Sequence, residues 1–195
     1  MQTAAAKTRY TPEEYLALEE QAEFKNEYHN GEIIPMTGAS FNHNRIITRL
    51  CAYLLQALQG KNYEPFSSDV RLWIAKYRKF TYPDLMVIQG QPQPYQNRTD
   101  TLTNPKLIIE VLSKSTQDYD QSDKFKCDPS IPDLKEYLLI NQYDLEIKQY
   151  TKTDTDCWIF RAYESSADVI TLSSVEVEIP VAEIYKGITL EIPPT

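Results

Sequence analysis

The sequence predicts an α/β fold: a mixed β-sheet flanked by helices, with hairpins added at both ends. Three observations carry that expectation. Ile47, Leu50, Cys51, Leu54, Leu55 and Leu58 recur at spacings of three and four, the stripe of an amphipathic helix. Leu107-Ile108-Ile109-Glu110-Val111-Leu112 is a short, nearly unbroken apolar run, which suits a central strand covered on both faces. Around these two segments strand and helix patterns alternate, and hairpin patterns flank both ends.

Taken in order, Thr11-Pro12-Glu13-Glu14 starts the first helix. Thr11 is the N-cap, Pro12 takes the first helical position and Glu14 closes a capping box, with the helix running to about Gln21. Residues 27–36 read as a hairpin around Asn30-Gly31, the strongest short turn signal in the chain. The striped helix spans 40–59, and Gly60 is placed to end it. Strands follow near 64–75 and 82–88, the second running into a polar, Pro-containing loop over 89–104. After the apolar strand, Ser115-Thr116-Gln117-Asp118 opens a helix that should end before Pro129. Strands at 136–141 and 145–152 make a hairpin turning at 142–144. The remainder, from 157 to 195, reads as short strands with one helical turn near 181–185.

The 195 residues suit one domain, with a core at about 10–141 and a strand-rich acidic tail at about 142–195. Apolar residues at 42% and charged residues at 25% exclude a disordered chain. No stretch approaches the roughly 18 apolar residues needed to cross a bilayer. The first residues lack the apolar core of a secretory signal, so the expectation is a soluble cytoplasmic protein without a membrane partner. Cys51, Cys127 and Cys157 lie far apart with no CxxC pair, which argues against a zinc ribbon or a disulfide framework.

A net charge of −8 counts against a nucleic-acid partner, but most of it sits in the tail. From Asp154 onward eight acids face only Arg161 and Lys186, which leaves the preceding residues nearly neutral. Among them Arg71, Lys76, Arg78 and Lys79 form a basic run, with no acid between Asp69 and Asp84. That run is either the solvated face of a hairpin or a phosphate-steering edge that contacts DNA.

Two carboxylates stand out by position. Asp84 follows Pro83 at the head of an apolar strand, and Glu110 interrupts the most apolar strand in the chain. Burying an ionised carboxylate there is expensive unless a partner compensates it. That partner is either a Lys or Arg in a structural ion pair or a hard divalent cation, which takes one or two carboxylates plus waters. Lys124, four residues after Asp120, makes an exposed helical salt bridge in the plain reading. In the sharper reading its helix folds back along the sheet and brings an ammonium over the carboxylates, to orient water or stabilise a phosphate.

Pro83-Asp84, followed by Ile109-Glu110-Val111-Leu112-Ser113, resembles the PD-(D/E)XK nuclease superfamily. More narrowly, the chain is similar to a large bacterial group of restriction-endonuclease-like proteins of unknown function. The likeness runs through residues 10–15, Asn26-Glu27-Tyr28-His29-Asn30-Gly31-Glu32-Ile33 and Ser40-Phe41-Asn42-His43. It continues through Pro83-Asp84-Leu85, residues 109–116, Tyr119-Asp120, Asp123-Lys124-Phe125 and Leu134-Lys135-Glu136-Tyr137-Leu138, reaching about Asn141. It implies a restriction-endonuclease-like fold and hydrolysis of DNA phosphodiesters with Mg²⁺, or alternatively Mn²⁺. By the same resemblance Asp84, Glu110 and the Val111 backbone carbonyl hold the cation, Lys124 positions the attacking water, and Glu27 and His43 are auxiliary. Two departures stand out. The superfamily's usual Lys position, two residues after the acid, is Leu112 here, and Lys126-Cys127-Asp128-Pro129 interrupts what the group more often continues as helix. An isologous homodimer is the expected assembly, since two copies suit cutting both strands of a duplex.

Two other function classes stay open on these residues. One is a catalytically inactive nuclease-like domain that binds nucleic acid or a protein, which the acidic balance favours. The other is a carboxylate-pair glycosidase, which would leave Lys124 without a task and has only Trp73 and Trp158 for stacking on sugars.

Overall fold

The structure is a computed structural model and describes residues 9–113, 130–155 and 157–190. The first helix, α1 (Pro12–Glu19), starts as its sequence requires. Thr11 Oγ1 accepts from the Glu14 N–H at 3.1 Å, and the Thr11 N–H donates to Glu14 Oε2 at 2.7 Å. Strands β1 (Asn26–His29) and β2 (Glu32–Pro35) make the expected hairpin. Asn30 and Gly31 turn it at φ 46° and 105°, the left-handed conformations that an Asn-Gly pair tolerates. Helix α2 (Phe41–Ala57) is capped by Ser40, whose Oγ accepts from the His43 N–H at 3.1 Å.

The single strand expected over 64–75 is two strands, β3 (Tyr63–Ser67) and β4 (Arg71–Ile74), and they join different sheets. The residues between them turn sharply, and the Ser68 N–H donates to the Asp84 carbonyl at 3.2 Å. The chain continues through β5 (Lys79–Thr81), β6 (Leu85–Gln89), β7 (Thr101–Leu102), β8 (Pro105–Leu112) and β9 (Glu136–Asn141). It ends in β10 (Ile147–Lys152), β11 (Trp158–Tyr163), β12 (Val169–Leu172), β13 (Val177–Pro180) and α3 (Val181–Ile184). The helix expected from Ser115 falls on residues 114–129, outside the described residues. No described helix is long and apolar enough to cross a membrane.

The larger sheet has the order β11-β10-β9-β8-β6-β3 and is mixed: β8 and β9 run parallel, and the other neighbours are antiparallel. A second sheet has the order β2-β1-β5-β4-β7, and β12 pairs with β13 alone. Side chains alternate along β8, so its two faces build two cores. Leu107, Ile109 and Val111 pack against Ile46, Leu50 and Leu54 of α2, together with β12, β13 and α3. Ile108 and Leu112 meet Leu72 and Ile74 of the second sheet. Each such buried side chain contributes roughly 1.5–3 kcal/mol. On the outer face of the second sheet α1 lays Tyr15 against Tyr28 and Phe80, with ring centroids 5.3 Å apart in both pairs. The layers are therefore α1, the smaller sheet, the larger sheet, then α2, and β8 is covered on both sides as its apolarity demands.

Asp100, just before β7, ties the smaller sheet to its loop. It accepts from Arg98 Nε at 2.8 Å and Nη2 at 2.9 Å, and also from Arg71. Hydrogen bonding from Arg98, with Thr101 and the Arg71 charge assisting, holds its carboxyl well below the usual carboxylate range. A group depressed in this way contributes stability that is full above its unfolded pKa of about 4 and is lost as pH falls through the folded value. Asp100→Asn should lower the melting temperature at neutral pH, and its gap to the wild type should close as pH falls below about 4. A gap independent of pH would contradict the ion-pair account.

Candidate active site

The carboxylates singled out in the sequence meet because β6 and β8 are neighbours. Leu85 pairs with Ile109, which sets Asp84, one residue earlier, beside Glu110. The Asp84 N–H donates to Glu110 Oε2 at 3.2 Å, and the Val111 N–H donates to Asp84 Oδ2 at 2.8 Å. Glu110 is only 2% exposed, and strand alternation puts it on the Ile108–Leu112 face, toward the smaller sheet. Asp84 stays partly open, with 18% of its side chain exposed.

His43 joins them from α2. Its Nε2 lies 3.1 Å from Asp84 Oδ2. The side chain is aimed there because His43 lies three residues before Ile46, on the flank of the helix that packs against the larger sheet. Ser40 fixes the start of this helix from both sides, since it caps the His43 N–H and donates to Gln142 Oε1. Gln142 in turn donates to the Leu112 carbonyl at 2.6 Å, at the end of the Glu110 strand.

Glu27 lies on β1, 7% exposed, and accepts from Thr81 Oγ1 while His29 Nε2 sits 2.9 Å from its Oε2. Thr81 pairs across β4–β5 with Leu72, whose side chain packs on Ile108 and Leu112. Directly opposed residues share a face, so Glu27 and Thr81 project into the space between the sheets, as Glu110 does from the other side. Lys124 lies outside the described residues.

The basic run divides. Arg71 and Lys79 are buried, at 4% and 2% exposure, so neither presents its charge at the surface as a phosphate-steering edge requires. Arg71 is drawn inward by Asp100, and Lys79 pairs opposite Ile74 on the face between the sheets. Lys76 and Arg78 remain exposed at the β4–β5 turn, at the end of β5 away from Asp84. A polar recess of about 300 Å³, lined by Gln89, Gln93, Asn104 and Lys106, lies at the opposite end of β6 and β8 from the carboxylates.

Sequence reasoning did not find Ser40, Thr81, His29 or Gln142. For His29 there was a signal, because spacing of two on a strand puts it on the Glu27 face. Gln142 read only as a turn residue, and its contact with Ser40 spans 102 positions, beyond any local pattern.

A family model described as "Putative restriction endonuclease" (Uma2) matches residues 12–182. The chain belongs to this family. It is 43% identical to the uncharacterized protein sll1609 of Synechocystis sp. over 82% of this chain and 90% of that protein. With the uncharacterized protein slr1290 of the same organism it shares 36% identity, over 92% and 93% of the two chains. A crystal structure described as "a putative nuclease belonging to DUF820", from Anabaena variabilis, superposes with a TM-score of 0.75 over 90% of this chain and 97% of the other. At 17% identity that likeness shows a shared fold. Family and fold together support a nuclease-type function and a restriction-endonuclease-like architecture.

Proposed function

We propose that the protein is a metal-dependent endonuclease that hydrolyses DNA phosphodiesters at Asp84 and Glu110. The observation that carries this reading is the juxtaposition of Asp84, just before β6, with Glu110, near the end of β8, where the Asp84 backbone N–H donates to Glu110 Oε2 at 3.2 Å. Two carboxylates with water beside them suit Mg²⁺ or Mn²⁺, which do not need a full cage of protein ligands. Both side chains offer hard oxygens, which suit such a cation; among the described residues no group of three or more His, Cys, Asp and Glu side chains is placed to hold a metal, so waters would complete its shell. Asp84, Glu110 and the Val111 carbonyl would hold it. The chemistry supplied on binding is Lewis-acid stabilisation of phosphate charge and a water of lowered pKa.

The chain's own residues orient the site. Asp84 Oδ2 is engaged by the Val111 N–H and by His43, and these two contacts orient the carboxylate. His43 is therefore a positioning residue, Glu27 supports the opposite wall, and Lys124 takes the role of orienting water or phosphate. Calorimetric titration with Mg²⁺ or Mn²⁺ tests this reading. The wild type should bind one of these ions and Asp84→Ala should not; equal binding by both removes Asp84 from the site. The net charge of −8 favours a second reading, a nuclease-like domain that binds without cutting. Wild-type protein that shows no Mg²⁺- or Mn²⁺-dependent cleavage of single-stranded or duplex DNA at low salt would decide for it.

A further inference from the structure

We infer that β11 is the seam of a homodimer, in which two copies of the chain pair this strand antiparallel across a two-fold axis. The inference concerns assembly and stands apart from the DNA-cleavage reading above. β11 is the last strand of the larger sheet, with β10 on one side and no further strand on the other. The hydrogen bonds to β10 identify which residues face the open side. The Thr153 N–H donates to the Cys157 carbonyl at 2.8 Å, and in the same register Thr151 lies opposite Ile159 and Gln149 opposite Arg161. Bonded and non-bonded pairs alternate along an antiparallel ladder, so the odd-numbered residues of β11 bond β10. Phe160 and Ala162 therefore aim their N–H and C=O groups outward, where no described residue takes them.

An open strand of this kind is normally blunted by Pro, by charge or by a bulge. The opposite end of the same sheet is blunted. The Gly90 N–H donates to the Asn62 carbonyl at 3.0 Å and the Ser68 N–H to the Asp84 carbonyl at 3.2 Å, so the even-numbered residues of β3 bond β6. Pro65 then stands on the outward side of β3, where it has no N–H to offer a second chain. The β11 sequence, Trp158-Ile159-Phe160-Arg161-Ala162-Tyr163, has no Pro, Lys or acid. Ile159 and Phe160, both strand-forming apolar residues, are left 56% and 55% exposed.

Charge complementarity makes a second copy the fitting occupant. With Phe160 opposite Phe160 of the second copy, each central N–H meets the equivalent carbonyl across the axis, as an isologous contact requires. The two rings meet there too, each already beside its own Tyr150 at a centroid distance of 5.3 Å. Ile159 then lies opposite Arg161 of the second copy, twice by symmetry, so each cation faces an apolar side chain. The next register, with Phe160 opposite Ala162, sets Arg161 against Arg161, and like charges directly opposed are destabilising. Charge therefore selects the register centred on Phe160.

Sedimentation equilibrium of the full chain at micromolar concentrations tests this. The wild type should be a dimer. Phe160→Lys sets two ammonium groups together at the axis and should weaken the dimer by at least about thirtyfold, the effect of a central hot spot. Phe160→Pro removes the central N–H without touching a bond to β10, and should weaken it as much. Circular dichroism and thermal melts should show both variants folded. Ile159 reports the register: Ile159→Lys opposes Arg161 of the second copy, whereas Ile159→Glu gives it a partner. The Lys variant should dimerise about fivefold or more weakly than the Glu variant. Phe41→Lys, at the most exposed large hydrophobic side chain among the described residues, should leave the dimer intact. A wild type that is monomeric at every concentration overturns the inference, whether or not β11 then takes a strand of another protein. A dimer that survives both Phe160 substitutions overturns it, as does one that Phe41→Lys splits. Equal affinities of the two Ile159 variants overturn it as well, because charge is what selects the second copy.

Discussion

Glu110→Gln is expected to abolish metal-dependent DNA cleavage while the protein melts at the same temperature or higher. The substitution keeps the size of the side chain and an oxygen to accept the Asp84 N–H, now at 3.2 Å from Glu110 Oε2. It removes the charge that would hold a cation. Cleavage should fall by at least about 10²–10³-fold, the loss typical when one preorganised electrostatic group is removed. Stability should not fall with it, since a carboxylate 2% exposed and set beside Asp84 gives up a desolvation cost when it becomes neutral. The competing account, a structural ion pair at Glu110, predicts the reverse: an orphaned cation and a loss of roughly 3–5 kcal/mol. Thermal melts with and without Mg²⁺ separate the two. Added Mg²⁺ should raise the melting point of the wild type and leave that of Glu110→Gln where it was, because only the folded wild type gains from binding.

How far the sequence disclosed this arrangement depended on whether the signal was local. The α2 stripe and the apolar β8 run are periodic features, and both were legible along with the Asn30-Gly31 hairpin. Asp84 and Glu110 were legible because a carboxylate at the head or centre of an apolar strand is costly enough to need a reason. The split between β3 and β4 was not, since Glu64 to Ala75 has strand-forming residues on both sides of Ser67-Ser68-Asp69 and no Gly or Pro at the turn. The fate of the basic run was hidden for a different reason. Alternation along a strand decides which face a Lys takes, but whether that face is buried depends on a sheet stacked against it. Lys79 is inward because the larger sheet covers the Leu72–Ile74 face, and nothing within 71–79 announces that cover. Arg71 follows Asp100, 29 positions away.

The largest loss of stability should come from Glu136, a buried carboxylate on β9, the strand beside that of Glu110. Glu136 begins β9 opposite Leu107 and is fully buried, on the face that meets α2 and the β12–β13 hairpin. It accepts from Gln149 Nε2 at 2.6 Å, Thr151 Oγ1 at 3.2 Å, Ser174 Oγ at 2.7 Å and Ser174 N–H at 3.2 Å. Gln149 extends the network, donating to the Thr171 carbonyl at 2.8 Å and accepting from Tyr163 Oη at 2.6 Å. The carboxylate therefore fastens β10 and the β12–β13 hairpin onto the larger sheet. Glu136→Ala strands these donors in a dry site, and each buried unsatisfied group costs about 1–3 kcal/mol. With some relaxation the total should reach about 3–5 kcal/mol, a large share of the 5–15 kcal/mol that holds a typical domain together. Glu136→Gln should also destabilise, because its amide would aim N–H groups at donors, whereas the same change at Glu110 should not. Urea unfolding of the two Gln variants side by side makes the contrast measurable. Cleavage by folded Glu136→Gln should persist, since this network lies on the face of the sheet opposite Glu110 and none of its hydrogen bonds reaches Asp84 or Glu110. Equal tolerance of Gln at both positions would mean that Glu136 is not the fastening its hydrogen bonds describe.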